Sequence, residues 1–128
     1  MKKLFESTIH KQICDYIRLQ YPDVMFVTDL SGIKLTIGQA VKLKSLRSTR
    51  AWPDLFIAQP NSTYHGMFLE IKRDVSQIYR KDGSLKANIQ HVREQNDVLS
   101  ELCDRRYYAV FACGFDEAKL LIDKYMKL

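Results

Sequence analysis

The sequence has little of what would tie a protein together covalently or around a structural metal. Its 128 residues hold three cysteines, Cys14, Cys103 and Cys113, an odd number with no Cys-x-x-Cys. The three histidines, His10, His65 and His91, show no zinc-like spacing with them or with one another. A disulfide framework and a structural zinc are therefore not expected, and the cysteines read as small core hydrophobes in a reducing compartment. Sequence order marks no nucleophilic triad, and no internal repeat or low-complexity segment is present. No apolar run is long enough to span a bilayer. Met1-Lys2-Lys3 leads into an amphipathic segment rather than a signal sequence, so the expected location is the cytoplasm.

What is present is ordinary in proportion and uneven in charge. A 46% hydrophobic and 27% charged composition is that of a soluble globular protein, and the length suits one domain over 1–128. The net charge of +5 and a pI near 9.1 favour a polyanionic partner. Lys34, Lys42, Lys44, Arg47 and Arg50 run up to Asp54, and Lys72, Arg73, Arg80, Lys81 and Lys86 follow Glu70. These cations bracket two acids that stand inside hydrophobic runs.

Those runs are Trp52-Pro53-Asp54-Leu55-Phe56-Ile57-Ala58 and Met67-Phe68-Leu69-Glu70-Ile71-Lys72. Aromatic and branched residues bounded by turn formers predict two strands. Alternation puts Glu70 and Lys72 on one face, with Met67, Leu69 and Ile71 on the other, and it sets Asp54 opposite Leu55 and Ile57. Paired as a hairpin, the strands gather two carboxylates and an ammonium on one face. A divalent cation explains such charges in apolar strands; solvated gatekeepers on an exposed sheet edge explain them equally well.

Around this hairpin, helical spacing of Ile9, Ile13, Tyr16, Ile17 and Gln20 predicts a first helix from about Leu4 to Gln20. Glu6 falls in line with its buried stripe, and two readings stand: an inward-facing acid, or a complement to the helix dipole at a solvated end. Val24 to Thr28 is a short strand, and Asp29-Leu30-Ser31-Gly32 a turn. Thr36 and Gln39 match a capping box opening a basic helix to about Leu46. From Arg73 to Asn88 the chain is polar, with Asp82-Gly83 as a tight turn in a small hairpin or a loop. Ile89 to Cys103 is a helix with Val92, Asn96, Leu99, Leu102 and Cys103 at core spacing, on which Gln95 points inward and Gln90 away. Tyr107 to Cys113 reads as a central strand, and Asp116 as N-cap of a last helix burying Ala118, Leu121, Ile122 and Tyr125. The order predicts an α/β protein, a three-layer α/β/α sandwich with a small mixed sheet.

Taken together, Glu6, Arg50-Ala51-Trp52-Pro53-Asp54-Leu55-Phe56-Ile57, Phe68-Leu69-Glu70-Ile71-Lys72, Glu94-Gln95 and Tyr108 through Ala118 resemble the PD-(D/E)XK nucleases. The pattern is most similar to the virus-type replication–repair nuclease (VRR-NUC) group, in its stand-alone phage form. One departure is Ala51, where that family usually has glycine. The resemblance implies a restriction-endonuclease-like core and Mg²⁺ or Mn²⁺ held by Asp54, Glu70 and the backbone carbonyl of Ile71. Lys72 would orient or help deprotonate the attacking water, Glu6 would hold the site through a second ion or a water, and Gln95 would position Lys72 or phosphate. It further implies a DNA endonuclease acting on branched DNA such as a four-way junction, working as a homodimer with no organic cofactor, in the host cytoplasm if phage-encoded. Lys42, Lys44, Arg47, Arg50, Arg73, Arg80, Lys81 and Lys86 are the candidate DNA contacts. A flap or fork nuclease and a non-catalytic DNA-binding subunit are the alternatives.

Overall fold

A computed structural model describes residues 4–30 and 33–128. The elements are α1 (Glu6–Gln20), β1 (Phe26–Thr28), α2 (Ile37–Ser45), β2 (Leu55–Ile57), β3 (Met67–Lys72), a 3₁₀ turn (Val75–Gln77), α3 (Gln90–Asp104), β4 (Tyr108–Cys113) and α4 (Phe115–Met126). Among the described residues four strands form one sheet in the order β1-β2-β3-β4. The first three strands run antiparallel to their neighbours, whereas β4 lies parallel to β3. A parallel neighbour requires a crossover, and α3 supplies it.

Alternation along the strands builds a core on each face of the sheet. Leu55, Ile57, Met67, Leu69, Ile71 and Ala112 pack with Ile9, Ile13 and Ile17 of α1 and Ala118, Ile122 and Tyr125 of α4. On the other face Phe68, Ala109 and Phe111 pack with Val92, Val98, Leu99 and Leu102 of α3 and with Ile78. The expected three-layer α/β/α sandwich with a mixed sheet is what forms. α2 stands apart from both cores and buries none of its side chains. Its N-terminus is closed where Thr36 Oγ1 accepts from the Gln39 N–H and Gln39 Oε1 from the Thr36 N–H, the capping box expected there. No described helix is long and apolar enough to cross a membrane.

Several local expectations are corrected. β4 is an edge strand, paired to β3 alone among the described residues; its apolarity reflects cover by α3 on one face and α4 on the other. The cap of α4 is Gly114 at φ 89°, with Asp116 inside the first turn. A glycine there takes the left-handed backbone without penalty. Cys103 is exposed and Cys113 half-buried, so only Cys14 is a core cysteine. Gln20 is exposed at the end of α1, and Asn96 is half-buried. Part of the Asp29–Gly32 turn, Ser31 and Gly32, lies outside the described residues, as do Met1, Lys2 and Lys3. The segment after β3 is the small hairpin: Tyr79 bridges Leu85, and Gly83 turns at φ 87°.

The turn between β2 and β3 closes tightly at Gly66. A Cβ there would stand 2.8 Å from Phe56 Cε1 and 3.1 Å from the Ile57 carbonyl oxygen. The Phe56 ring is not free to retreat, because it stacks on Phe68 at a centroid distance of 4.5 Å. Gly66→Ala is expected to destabilise the fold by about 1–3 kcal/mol, read as a lowered midpoint in urea unfolding.

Candidate active site

The register of the β2–β3 hairpin decides where the acids fall. Leu55 lies opposite Leu69, so one step further Asp54 stands directly across from Glu70 on the Phe56–Phe68 face, and Pro53 across from Ile71. Directly opposed side chains on one face are within contact reach. Pro53 has no N–H and ends the ladder. The Asp54 carboxylate takes its place: Oδ2 accepts from the Ile71 N–H at 2.8 Å. An antiparallel strand residue directs its N–H and C=O to the same side. The Ile71 carbonyl therefore faces the site without a β2 N–H to bind.

Burial excludes the gatekeeper reading of these charges, since Glu70 is 4% and Lys72 6% exposed. Desolvation, then the charge of Asp54, push the Glu70 carboxyl up to about 9 against the pull of Lys72. Burial raises Asp54 too, opposed by its hydrogen bonds from Ile71 and Glu70. Both carboxyl groups are thus held above their ordinary range, Glu70 the more strongly, which favours Glu70 as the protonated partner that donates to Asp54. Lys72 forms no ion pair within 4.0 Å among the described residues.

The angular position of Gln95 on α3 is borne out. Its Nε2 donates to Glu70 Oε1 at 2.9 Å, while its own Oε1 is buried with no partner among the described residues. A buried acceptor without a donor asks for a water or an incoming ligand. Glu6 opens α1 and is exposed, yet it lines the same cavity of about 180 Å³ with Asp54, Glu70, Ile71, Lys72 and Gln95, and its charge raises Glu70. Both readings of Glu6 therefore apply at once.

Two further residues enter the site that spacing alone did not single out. His10 lines that cavity one turn after Glu6, with Nε2 3.2 Å from Thr28 Oγ1. Burial lowers its pKa, and the Asp54 charge partly offsets this. The i, i+4 relation to Glu6 was the available signal. His91 lines a neighbouring cavity of about 280 Å³, which reaches Asp54 and Glu70 from the side of Arg47, Arg50, Trp52 and Glu94.

The candidate DNA-contacting cations divide by position. Arg47 and Arg50 flank the site; Arg47 pairs with Asp29, and Arg50 stands 3.4 Å from Glu94. Lys42 and Lys44 are exposed on α2. Arg73 lies past the end of β3 in a separate cavity with Asp74 and Gly114. Arg80 is stitched into the hairpin by Leu85 O at 2.6 Å and Asn88 Oδ1 at 2.9 Å, Lys86 donates to the Ser76 carbonyl, and Lys81 is exposed. None of these four lines the cavities around Asp54 and Glu70.

Ala51, the departure from glycine, sits at φ 58°. The backbone thus keeps the left-handed turn that a glycine would make, at a steric cost to the alanine Cβ. Ala51→Gly is expected to stabilise the protein by about 0.5–1 kcal/mol, raising Tm by about 2–5 °C in a thermal melt.

Among the described residues no group of three or more His, Cys, Asp or Glu side chains is gathered so as to hold a metal ion. The donors that do converge are two carboxylates and a carbonyl, all hard oxygens. They fit a cation of the Mg²⁺ type, which fills its remaining places with water, and not the nitrogen and sulfur set of a structural zinc.

No protein-family model and no curated protein sequence matches the chain. A solved structure described as a "VRR_NUC domain protein" superimposes on 100% of this chain and 93% of its own, with a TM-score of 0.69 at 22% identity. The chain shares the fold of that protein along its full length.

Proposed function

We propose that the protein is a VRR-NUC nuclease that hydrolyses DNA phosphodiesters with a divalent cation, leaving 5′-phosphate and 3′-hydroxyl ends. The observation that carries this reading is the pairing of half-buried Asp54 with buried Glu70, opposed in register and both raised by burial. A protein gains nothing in stability from two such acids, and strongly perturbed carboxyl groups in a cleft mark a functional site. Asp54, Glu70 and the Ile71 carbonyl would hold Mg²⁺ or Mn²⁺. When bound, the ion supplies charge neutralisation and an activated water. Lys72 would orient the attacking water and offset charge on the scissile phosphate; Gln95 fixes Glu70 through Nε2, and its buried Oε1 would accept from a bound water. Glu6 holds further water at the rim.

The preferred substrate is a branched DNA, a four-way junction first, cut by a homodimer with one site for each strand. Exposed apolar side chains at Met25 and Val27 around edge strand β1, and at Ile37 and Val41 on α2, support a second copy as partner. Such a protein works where DNA is, in the cytoplasm.

End-labelled four-way junction, flap, fork and linear duplex, incubated in Mg²⁺, Mn²⁺ or EDTA, test the reading. Paired symmetric cuts in the junction alone, absent in EDTA, are expected. Products from flap or fork alone would keep the chemistry and replace the substrate. Metal-independent DNA binding without product on any of them would leave a non-catalytic DNA-binding module.

A further inference from the structure

A large cavity adjoins the candidate site and contains none of the residues that would hold the cation. It measures about 710 Å³ and lies between α2 and the segment 47–51, within the range of a small-molecule site. Its lining is of two kinds: apolar Ile33, Leu35 and Leu43, and cationic Lys44, Arg47 and Arg50. No acid lines it. Arg47, Arg50 and Ala51 also line the 280 Å³ cavity that reaches Asp54 and Glu70. The two cavities share that wall and lie side by side, a trough whose apolar floor is next to the site.

We infer that this trough is a binding site for an unpaired nucleotide of the strand being cut. The inference rests on the nuclease reading of the Asp54–Glu70 site. Three cations on one wall, of which Lys44 is in no ion pair among the described residues and Arg50 is held only by Glu94 at 3.4 Å, complement a phosphodiester chain. Apolar side chains offer nothing to phosphate, but they do accept the face of a base, and a base presents its face only when it leaves the stack. Arg47 is held by Asp29 and is 20% exposed, so its guanidinium plane is fixed, as a stacking surface requires. Arg50 stands where the two cavities meet, 73% exposed, and exchanges Glu94 for a phosphate as the strand passes. Fully paired duplex places its bases out of reach of this floor. The substrate class is accordingly DNA with an unpaired or unstacked nucleotide beside the cut.

The test is binding of two duplexes of one sequence in EDTA, one fully paired and one bearing a single unpaired 2-aminopurine. Wild type is expected to bind the second about tenfold more tightly, with a change in 2-aminopurine emission. Leu43→Gln removes part of the floor, and Ala40→Leu, on the exposed face of α2, fills the mouth. Both are expected to abolish the preference and leave affinity for paired duplex within about twofold. Equal affinity of wild type for the two duplexes would overturn the inference. So would a preference untouched by both substitutions, or a trough covered by a second copy in a dimer whose formation removes the preference. Because nothing is cut in EDTA, a protein without cleavage in Mg²⁺ that keeps this preference loses only the nuclease reading. Intact cleavage without the preference loses only the pocket.

Discussion

Glu70→Gln is expected to abolish DNA cleavage, by about a thousandfold or more, while making the metal-free protein more stable. The two effects have one cause. In the absence of a cation, Glu70 keeps its proton to about pH 9 and lends it to Asp54. The unfolded chain ionises that side chain near 4.5. Holding the proton at neutral pH therefore costs the fold about 2–4 kcal/mol. Glutamine has the shape of the protonated acid, donates to Asp54 through its amide, and accepts from Gln95 Nε2 through its oxygen. It meets the same partners without that cost. It has no charge to offer a metal, and the cation's contribution to the reaction is lost with it. Denaturant unfolding in EDTA at pH 7.5, beside a cleavage gel in Mg²⁺, reads both effects. A Glu70 with a purely structural role predicts the opposite pairing: lower stability and cleavage that follows the folded fraction.

The second large effect is in pH. The raised carboxyl pKa values of Glu70 and Asp54 mean that the folded protein binds more protons than the unfolded chain above about pH 4.5. Their contribution is fully present below the unfolded value and is lost as pH rises toward 9. Metal-free protein should thus lose stability steadily between pH 7 and 9, at up to about 1.4 kcal/mol per unit. His10, whose pKa is lowered in the fold, acts with the opposite sign and below its ordinary value of 6.5, so the alkaline window is free of it. A divalent cation competes with the shared proton, and stabilisation by 10 mM Mg²⁺ should grow over the same window. Thermal melts at pH 7, 8 and 9, with Mg²⁺ or EDTA, measure this. A metal-free melting temperature flat with pH, or Mg²⁺ stabilisation that shrinks as pH rises, would show that the carboxyl pair does not hold that proton.

Much of this site was legible because its determinants are local. Strand alternation alone puts Asp54 and Glu70 on a common face, and a helical projection alone separates inward Gln95 from outward Gln90. In the structure Gln95 bonds Glu70, while Gln90 pairs with Glu94 on the exposed side of α3. The capping box at Thr36 is local too. The features that escaped depend on what an element meets. β4 is apolar because two helices cover it, and apolarity carries no mark of whether a second strand lies beyond. Cys103 has core spacing on α3 but falls in its last turn, where it is exposed to solvent. His10 enters the site because α1 crosses the open end of the β2–β3 ladder, which no spacing between histidines records. Arg47 looked like a free cation until the fold brought Asp29 to it.

The most direct measurement is a calorimetric titration of the protein with Mn²⁺ at pH 8, in two buffers of different ionisation enthalpy. Saturable binding is expected, accompanied by release of about one proton, the one shared by Asp54 and Glu70. Both the binding and the proton release should disappear in Asp54→Asn and in Glu70→Gln. Absence of binding to the wild type, or binding that survives both substitutions, would contradict a metal site at this carboxylate pair and remove the chemistry built on it.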